Sequence, residues 1–215
     1  VNNDQIFTSL LKDMDTGVEV VNLGVSGYGT DQEFLLLRRY IDTLKPDAVL
    51  VVFNPSNDRG DNSTNERYYG YWKPVFNQDE SGTLVLQGVP VKKSLRYWIN
   101  RYSSLTKNSL TLQLVALLLL KAETINKVEV TDSTEALLLK IKALALDHNS
   151  TFFLGFIDKD AAIDSFCVRT NTNCLSLETP LRYSTSGDHW TPAGHQFVAN
   201  KIYERYPDIF NRRVE

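Results

Sequence analysis

The chain has 215 residues, 42% of them hydrophobic, which suits one domain with a real core. A formal net charge of −3, with Lys and Arg scattered in nothing longer than pairs such as Lys92-Lys93, gives no electrostatic case for nucleic acid. The most apolar stretch, Leu114 to Leu120, is bracketed by Gln113 and Lys121 and falls short of the run of about 20 residues that a membrane span needs, so it reads as part of a buried helix.

Ile6, Leu10 and Met14, with Phe7 and Leu11 beside them, recur at helical spacing and predict an opening helix that ends at Thr16-Gly17. Val18 to Leu23 is a short valine-rich run that reads as a buried strand. The loop Gly24-Val25-Ser26-Gly27-Tyr28-Gly29 follows. Thr30 and Glu33 have the spacing of a capping box, and Phe34, Leu37, Ile41 and Leu44 continue as the apolar stripe of a second helix, which Lys45-Pro46 stops. Asp47 to Phe53 is a second, nearly all-apolar strand. Continuous apolar strands joined by helices imply a parallel sheet covered on both faces.

The middle of the chain is less regular. Tyr71 to Val91 predicts a hairpin turning at Glu80-Ser81-Gly82. Leu105 to about Ile125 is a leucine-rich helix. Asp132 and Glu135 cap another, running to about Leu146. Thr151 to Ile157 is a third buried strand, and Leu175-Ser176-Leu177 a short fourth. Thr191-Pro192 starts the last helix, with Thr as cap and Pro in the first turn, and it runs to about Tyr206. The whole reads as one domain over 1–215 with an irregular insertion at about 60–130. Cys167 and Cys174 form no CxxC, and spacing leaves a short disulfide loop and two separate thiols equally open. A disulfide would favour an oxidising compartment.

Three loops carry the chemistry: Asn22 to Thr30, then Asn54-Pro55-Ser56-Asn57-Asp58, then Gly187-Asp188-His189-Trp190-Thr191-Pro192-Ala193-Gly194-His195. In this order they resemble the glycine block, the Gly-x-Asn-Asp block and the Asp…His block of the SGNH/GDSL hydrolase family. The segment Lys73-Pro74-Val75 through Gly88-Val89-Pro90 resembles a hairpin region of its bacterial members. The opening Val1 to Phe7 looks like what normally follows the family's serine block. The resemblance thus covers nearly the whole chain.

It implies a three-layer α/β/α, flavodoxin-like parallel sheet. It also implies serine-dependent hydrolysis or transfer of acyl esters, short-chain ones such as acetyl among them. His189 would be the general base, Asp188 would orient its imidazole, and Gly27 and Asn57 would donate to the oxyanion. Two positions depart from the family pattern: Asp188 is directly adjacent to the histidine, and Pro55 replaces the block's glycine. No Gly-Asp-Ser occurs in the sequence, so the nucleophile and the first central strand are expected upstream of Val1. The resemblance implies no cofactor and no metal, and the three dispersed histidines have no ligand pattern. The expected partner is a small-molecule or carbohydrate acyl ester, and the missing upstream segment favours an extracytoplasmic or membrane-anchored location.

Two other readings compete. Gly24-x-x-Gly27-x-Gly29 before a capped helix is a loose dinucleotide-binding pattern, although no acidic residue ends the next strand. A serine-less, non-catalytic binding module on the same fold is the other. Tyr68, Tyr69, Tyr71 and Trp72 suit packing, a lid or a cleft wall. His195 and His148 read as structural. Asn62-Ser63-Thr64 and Asn149-Ser150-Thr151 match the glycosylation pattern, which is common by chance.

Overall fold

The computed structural model describes residues 1–15, 17–67, 71–124, 130–185 and 189–210. In chain order, a 3-10 turn at Asn3–Gln5 leads into α1 (Phe7–Met14), α2 (Thr30–Leu44), β1 (Ala48–Phe53) and the short α3 (Asp58–Asn62). Four short strands follow: β2 (Glu66–Arg67), β3 (Tyr71–Trp72), β4 (Val75–Gln78) and β5 (Leu84–Gln87). Next come α4 (Leu95–Arg101), α5 (Ser103–Thr106), α6 (Leu110–Thr124) and α7 (Thr134–Asp147). The chain closes with β6 (Thr151–Phe156), α8 (Ala161–Arg169), β7 (Asn173–Ser176), α9 (Pro192–Arg205) and α10 (Pro207–Phe210). The fold is mixed α/β, with one three-stranded parallel sheet in the order β1-β6-β7.

The chain divides into two compact units. The first comprises Val1–Gly24, Leu37–Pro55 and Lys142–Glu215; the second comprises Val25–Leu36 and Ser56–Ile141.

The first unit holds the parallel sheet. Val49 sits opposite Phe152 and Phe53 opposite Phe156, so β1 and β6 end level with each other. Parallel strands buried on both faces read as continuous apolar runs, and that is how Ala48–Phe53 and Thr151–Phe156 read. Leu11, Phe153, Leu175, Leu177, Trp190, Val198 and Ile202 close the core, with α1 packed on α9. Burying each such side chain contributes about 1.5–3 kcal/mol. Cys167 and Cys174 are joined in a disulfide that ties α8 to β7 and settles the question left open by their spacing.

Val18 to Leu23 departs from its expected strand. Its backbone joins no ladder among the described residues, and Val21 is exposed. An apolar run becomes a strand only where a neighbouring strand supplies hydrogen bonds, and β6 is the one described partner of β1.

The second unit holds the expected hairpin. β4 and β5 pair antiparallel around a turn in which the Asp79 carboxylate accepts from the N–H groups of Ser81 and Thr83, and Gly82 takes a positive φ of 79°. Phe34 and Phe76 meet edge to face at 5.6 Å, and Val75, Leu137, Leu138 and Ile141 of the same unit are buried. α7 starts as expected, with the Asp132 carboxylate accepting from the N–H of Thr134 at 2.9 Å. The leucine-rich helix is the main departure. α6 packs against α4 and α5, and Leu110, Leu112, Leu114, Val115, Leu117, Leu118 and Leu119 are all exposed.

Candidate functional site

In the first unit the His189 loop is fastened to the carboxyl end of the parallel sheet. Arg182 donates from Nη2 to the carbonyl of Ile157, the residue directly after β6, and pairs with Asp158 at 2.8 Å. Arg182 bridges to Trp190, the Tyr183 N–H donates to the His189 carbonyl at 2.9 Å, and the Thr191 N–H donates to Leu181 at 3.0 Å. Thr191 Oγ1 accepts from the Gly194 N–H at 3.2 Å, the cap read from Thr191-Pro192. Trp190 is buried, so its neighbour His189 is turned out and exposed. The chain also leaves β1 at this end, through Asn54-Pro55. Ligands of open α/β sheets bind outside such carboxyl ends.

In the second unit Gly27 takes a φ of 73°, a left-handed conformation that L side chains adopt at a cost. Arg67 in β2 donates from Nε to the Gly27 carbonyl at 3.0 Å and from Nη2 to the Ser26 carbonyl. Its guanidinium also lies over the Tyr28 ring, 4.9 Å from the centroid. With both carbonyls held, the two intervening peptide planes are fixed, and so is the direction of the Gly27 N–H. Gly29 serves differently: a Cβ there would stand 2.9 Å from Asp61 Cβ and 3.0 Å from Asn62 Oδ1. The glycine loop therefore lies directly on α3, the helix for which Asn57 is the N-cap residue. Asn57 makes no side-chain cap bond, and its Oδ1 is buried with no hydrogen-bond partner among the described residues.

Beneath this loop is a polar interior. Asn62 is 1% exposed; its Oδ1 accepts from the Asp31 N–H at 3.1 Å, and its Nδ2 donates to Thr134 Oγ1 at 2.7 Å. Asp31 and Lys73 form a fully buried ion pair. Burial raises the Asp31 carboxyl above its usual range, and Lys73 opposes that rise. Glu33 is pushed up to about 8, by burial first and then by the Asp58 and Asp31 charges. The expected capping box is therefore not made. Thr30 Oγ1 and Glu33 Oε2 are buried without hydrogen-bond partners among the described residues, and Asn62, from a separate helix, caps α2.

Of the residues expected at the site, Gly27 and Asn57 fall together in the second unit and His189 in the first. Asp188, Tyr68 and Tyr69 lie outside the described residues. Tyr71 is in β3, where its hydroxyl accepts from Asn100 at 2.8 Å. His195 is structural: its Nδ1 accepts from the Phe7 N–H at 3.3 Å, the ring stacks on Phe7, and burial lowers its pKa. His148 follows α7, bonded to the Leu144 carbonyl at 2.8 Å and to Asp42 at 3.1 Å. The first acceptor pattern is closed to glycosylation in the folded chain, because Asn62 is buried, while Asn149 is exposed. Sequence reasoning missed Arg67, Asn62 and Lys73. Arg67 and Lys73 have no local signature, and Asn62 was legible only as part of a common tripeptide.

No protein-family model matches the chain, and no curated protein or solved structure matches it.

Proposed function

We propose that this chain belongs to a serine-dependent acyl-ester hydrolase or acyltransferase of the SGNH class, with the flavodoxin-like three-layer sheet of that class. In this reading His189 takes the proton of the attacking hydroxyl and Asp188 orients its imidazole. The Gly27 N–H and the Asn57 side-chain amide stabilise the oxyanion. The substrate is a small-molecule or carbohydrate acyl ester, acetyl esters included.

The observation that carries the reading is the clamped glycine loop. Arg67 fixes the peptides on either side of Gly27, and Gly29 seats that loop on the helix that starts from Asn57. A neutral dipole held in place before charge develops, as the Gly27 N–H is, is what tetrahedral intermediates of acyl transfer require. The exposed imidazole of His189 at the carboxyl end of the sheet agrees with it.

The same geometry disfavours a dinucleotide site. The N–H groups of Asp31 and Gln32, which would face a pyrophosphate at the start of α2, are bonded to Asn62 Oδ1 and to the Asp31 carboxylate at 2.7 Å. The test is hydrolysis of p-nitrophenyl acetate by the product of the full open reading frame that contains this chain. His189→Ala is expected to nearly abolish turnover. Equal turnover in that variant sinks the assignment, and a wild-type protein without turnover leaves the binding module as the better reading.

A further inference from the structure

α6 is an apolar helix turned outward. At 100° per residue, the exposed Leu110, Leu112, Leu114, Val115, Leu117, Leu118 and Leu119 sweep an arc of roughly 220°. The half-buried Ser109, Gln113, Ala116 and Leu120 fill the remaining side, where α4 and α5 pack. Exposure runs as high as 84% at Leu110, with 59% at Leu114 and 62% at Leu118. The open apolar surface is on the order of 700 Å², above the roughly 300–600 Å² of the largest patch on an ordinary soluble monomer. A helix apolar around so much of its circumference is stable only when something covers it.

The charges around it say what. From Lys92 to the end of α6 at Thr124, six charged residues are basic, Lys92, Lys93, Arg96, Arg101, Lys107 and Lys121, against one acidic residue, Glu123 in the last turn. The chain as a whole carries −3, so this segment runs against its surroundings. Trp98 and Tyr102, both largely exposed, stack at 6.2 Å, and the Lys93 ammonium lies 4.3 Å from the Tyr97 ring. Exposed Trp and Tyr among Lys and Arg, beside a leucine face, suit the boundary between headgroups and acyl chains. No helix among the described residues is long and apolar enough to cross a membrane. A second copy of the chain would bring the same cations against one another.

We propose that α4 to α6 form a docking surface for an anionic phospholipid layer. The leucines of α6 enter beneath the headgroups, and the surrounding Lys and Arg pair with lipid phosphates. Each basic residue near such a surface adds to the attraction, which is screened by salt. This inference is independent of the acyl-ester reading, because none of its residues belongs to that site.

The test is vesicle co-sedimentation of the 215-residue chain, using pure phosphatidylcholine and phosphatidylcholine with about one third phosphatidylglycerol. The expected result is binding at least roughly tenfold stronger to the anionic vesicles, falling as salt is raised. The double substitution Leu114→Glu and Leu118→Glu removes it. Both positions are exposed, so the circular dichroism spectrum and Tm of that variant stay unchanged. Substituting Lys92, Lys93, Arg96 and Arg101 by Gln removes the preference for anionic lipid. Absence of binding to either vesicle overturns the proposal, as does binding that survives the leucine substitutions. A dimer seen by light scattering that the leucine substitutions dissolve, with no vesicle binding, assigns the face to a second copy and overturns it as well.

Discussion

Arg67 holds the carbonyl of Gly27 at 3.0 Å from a strand 40 positions further along the chain. The same guanidinium reaches the Ser26 carbonyl, so one side chain spans two successive peptides. A lysine has a single charged nitrogen and does not reproduce this planar fork. Under the proposed chemistry, Arg67→Gln lets the Gly27 N–H drift from the oxyanion. We expect kcat lower by about ten- to a hundredfold with KM little changed, since the interaction matters only in the transition state. Arg67→Lys should fall between. Steady-state kinetics on the full-length protein check this. Unchanged kcat in Arg67→Gln, alongside an inactive His189→Ala, removes the role given to Arg67 while leaving the general base in place.

Glu33 should make the stability of the protein fall with pH. Its carboxyl stands at about 8 in the folded chain against 4.5 for a free glutamate side chain, so the folded state binds more protons between these values. Stability from this group is fully present below about pH 4.5 and declines as pH rises through about 8. The slope can reach about 1.4 kcal/mol per pH unit. The carboxylates of Asp58 and Asp31 deepen the effect. Glu33→Gln removes the ionisation. Urea unfolding at pH 6 and pH 9 should show a smaller difference for that variant than for the parent chain, and equal differences count against the buried acid.

Asn62 satisfies two helices at once. Replacing it by Ala leaves the Asp31 N–H and Thr134 Oγ1 without its amide and opens a small void. A lost buried hydrogen-bonding group costs about 1–3 kcal/mol, so the denaturation midpoint should drop measurably. A midpoint equal to that of the parent would show that the network closes without it.

The Cys167–Cys174 disulfide closes a short loop, with a sequence separation of 7. Loop-closure entropy for a ring of this size is worth about 2–3 kcal/mol in the unfolded state. Replacing both cysteines by Ala should lower stability by about that amount, as should reduction by dithiothreitol. Mass spectrometry of alkylated, unreduced protein provides the direct check, and two alkylated thiols would mean the bond is not formed.

The sequence alone determined what depends on neighbours along the chain. Ala48–Phe53 and Thr151–Phe156 are strands because their mostly apolar runs suit a parallel sheet. Thr191-Pro192 starts α9, Asp132 starts α7 and Gly82 turns the hairpin, because caps and turns are local hydrogen-bond problems. Tertiary structure decided the rest, because an apolar pattern states what a segment must bury and not what will cover it. Val18–Leu23 has strand composition but no described ladder to join, and the leucines of α6 have helical order but no described element over most of their surface. Thr30 and Glu33 have the spacing of a capping box, yet Asn62 arrives from another helix and takes the place. The clamp of Arg67 on Gly27 is of the same kind. It joins residues far apart in sequence, through backbone carbonyls that every residue carries, so nothing in the order of the side chains announces it.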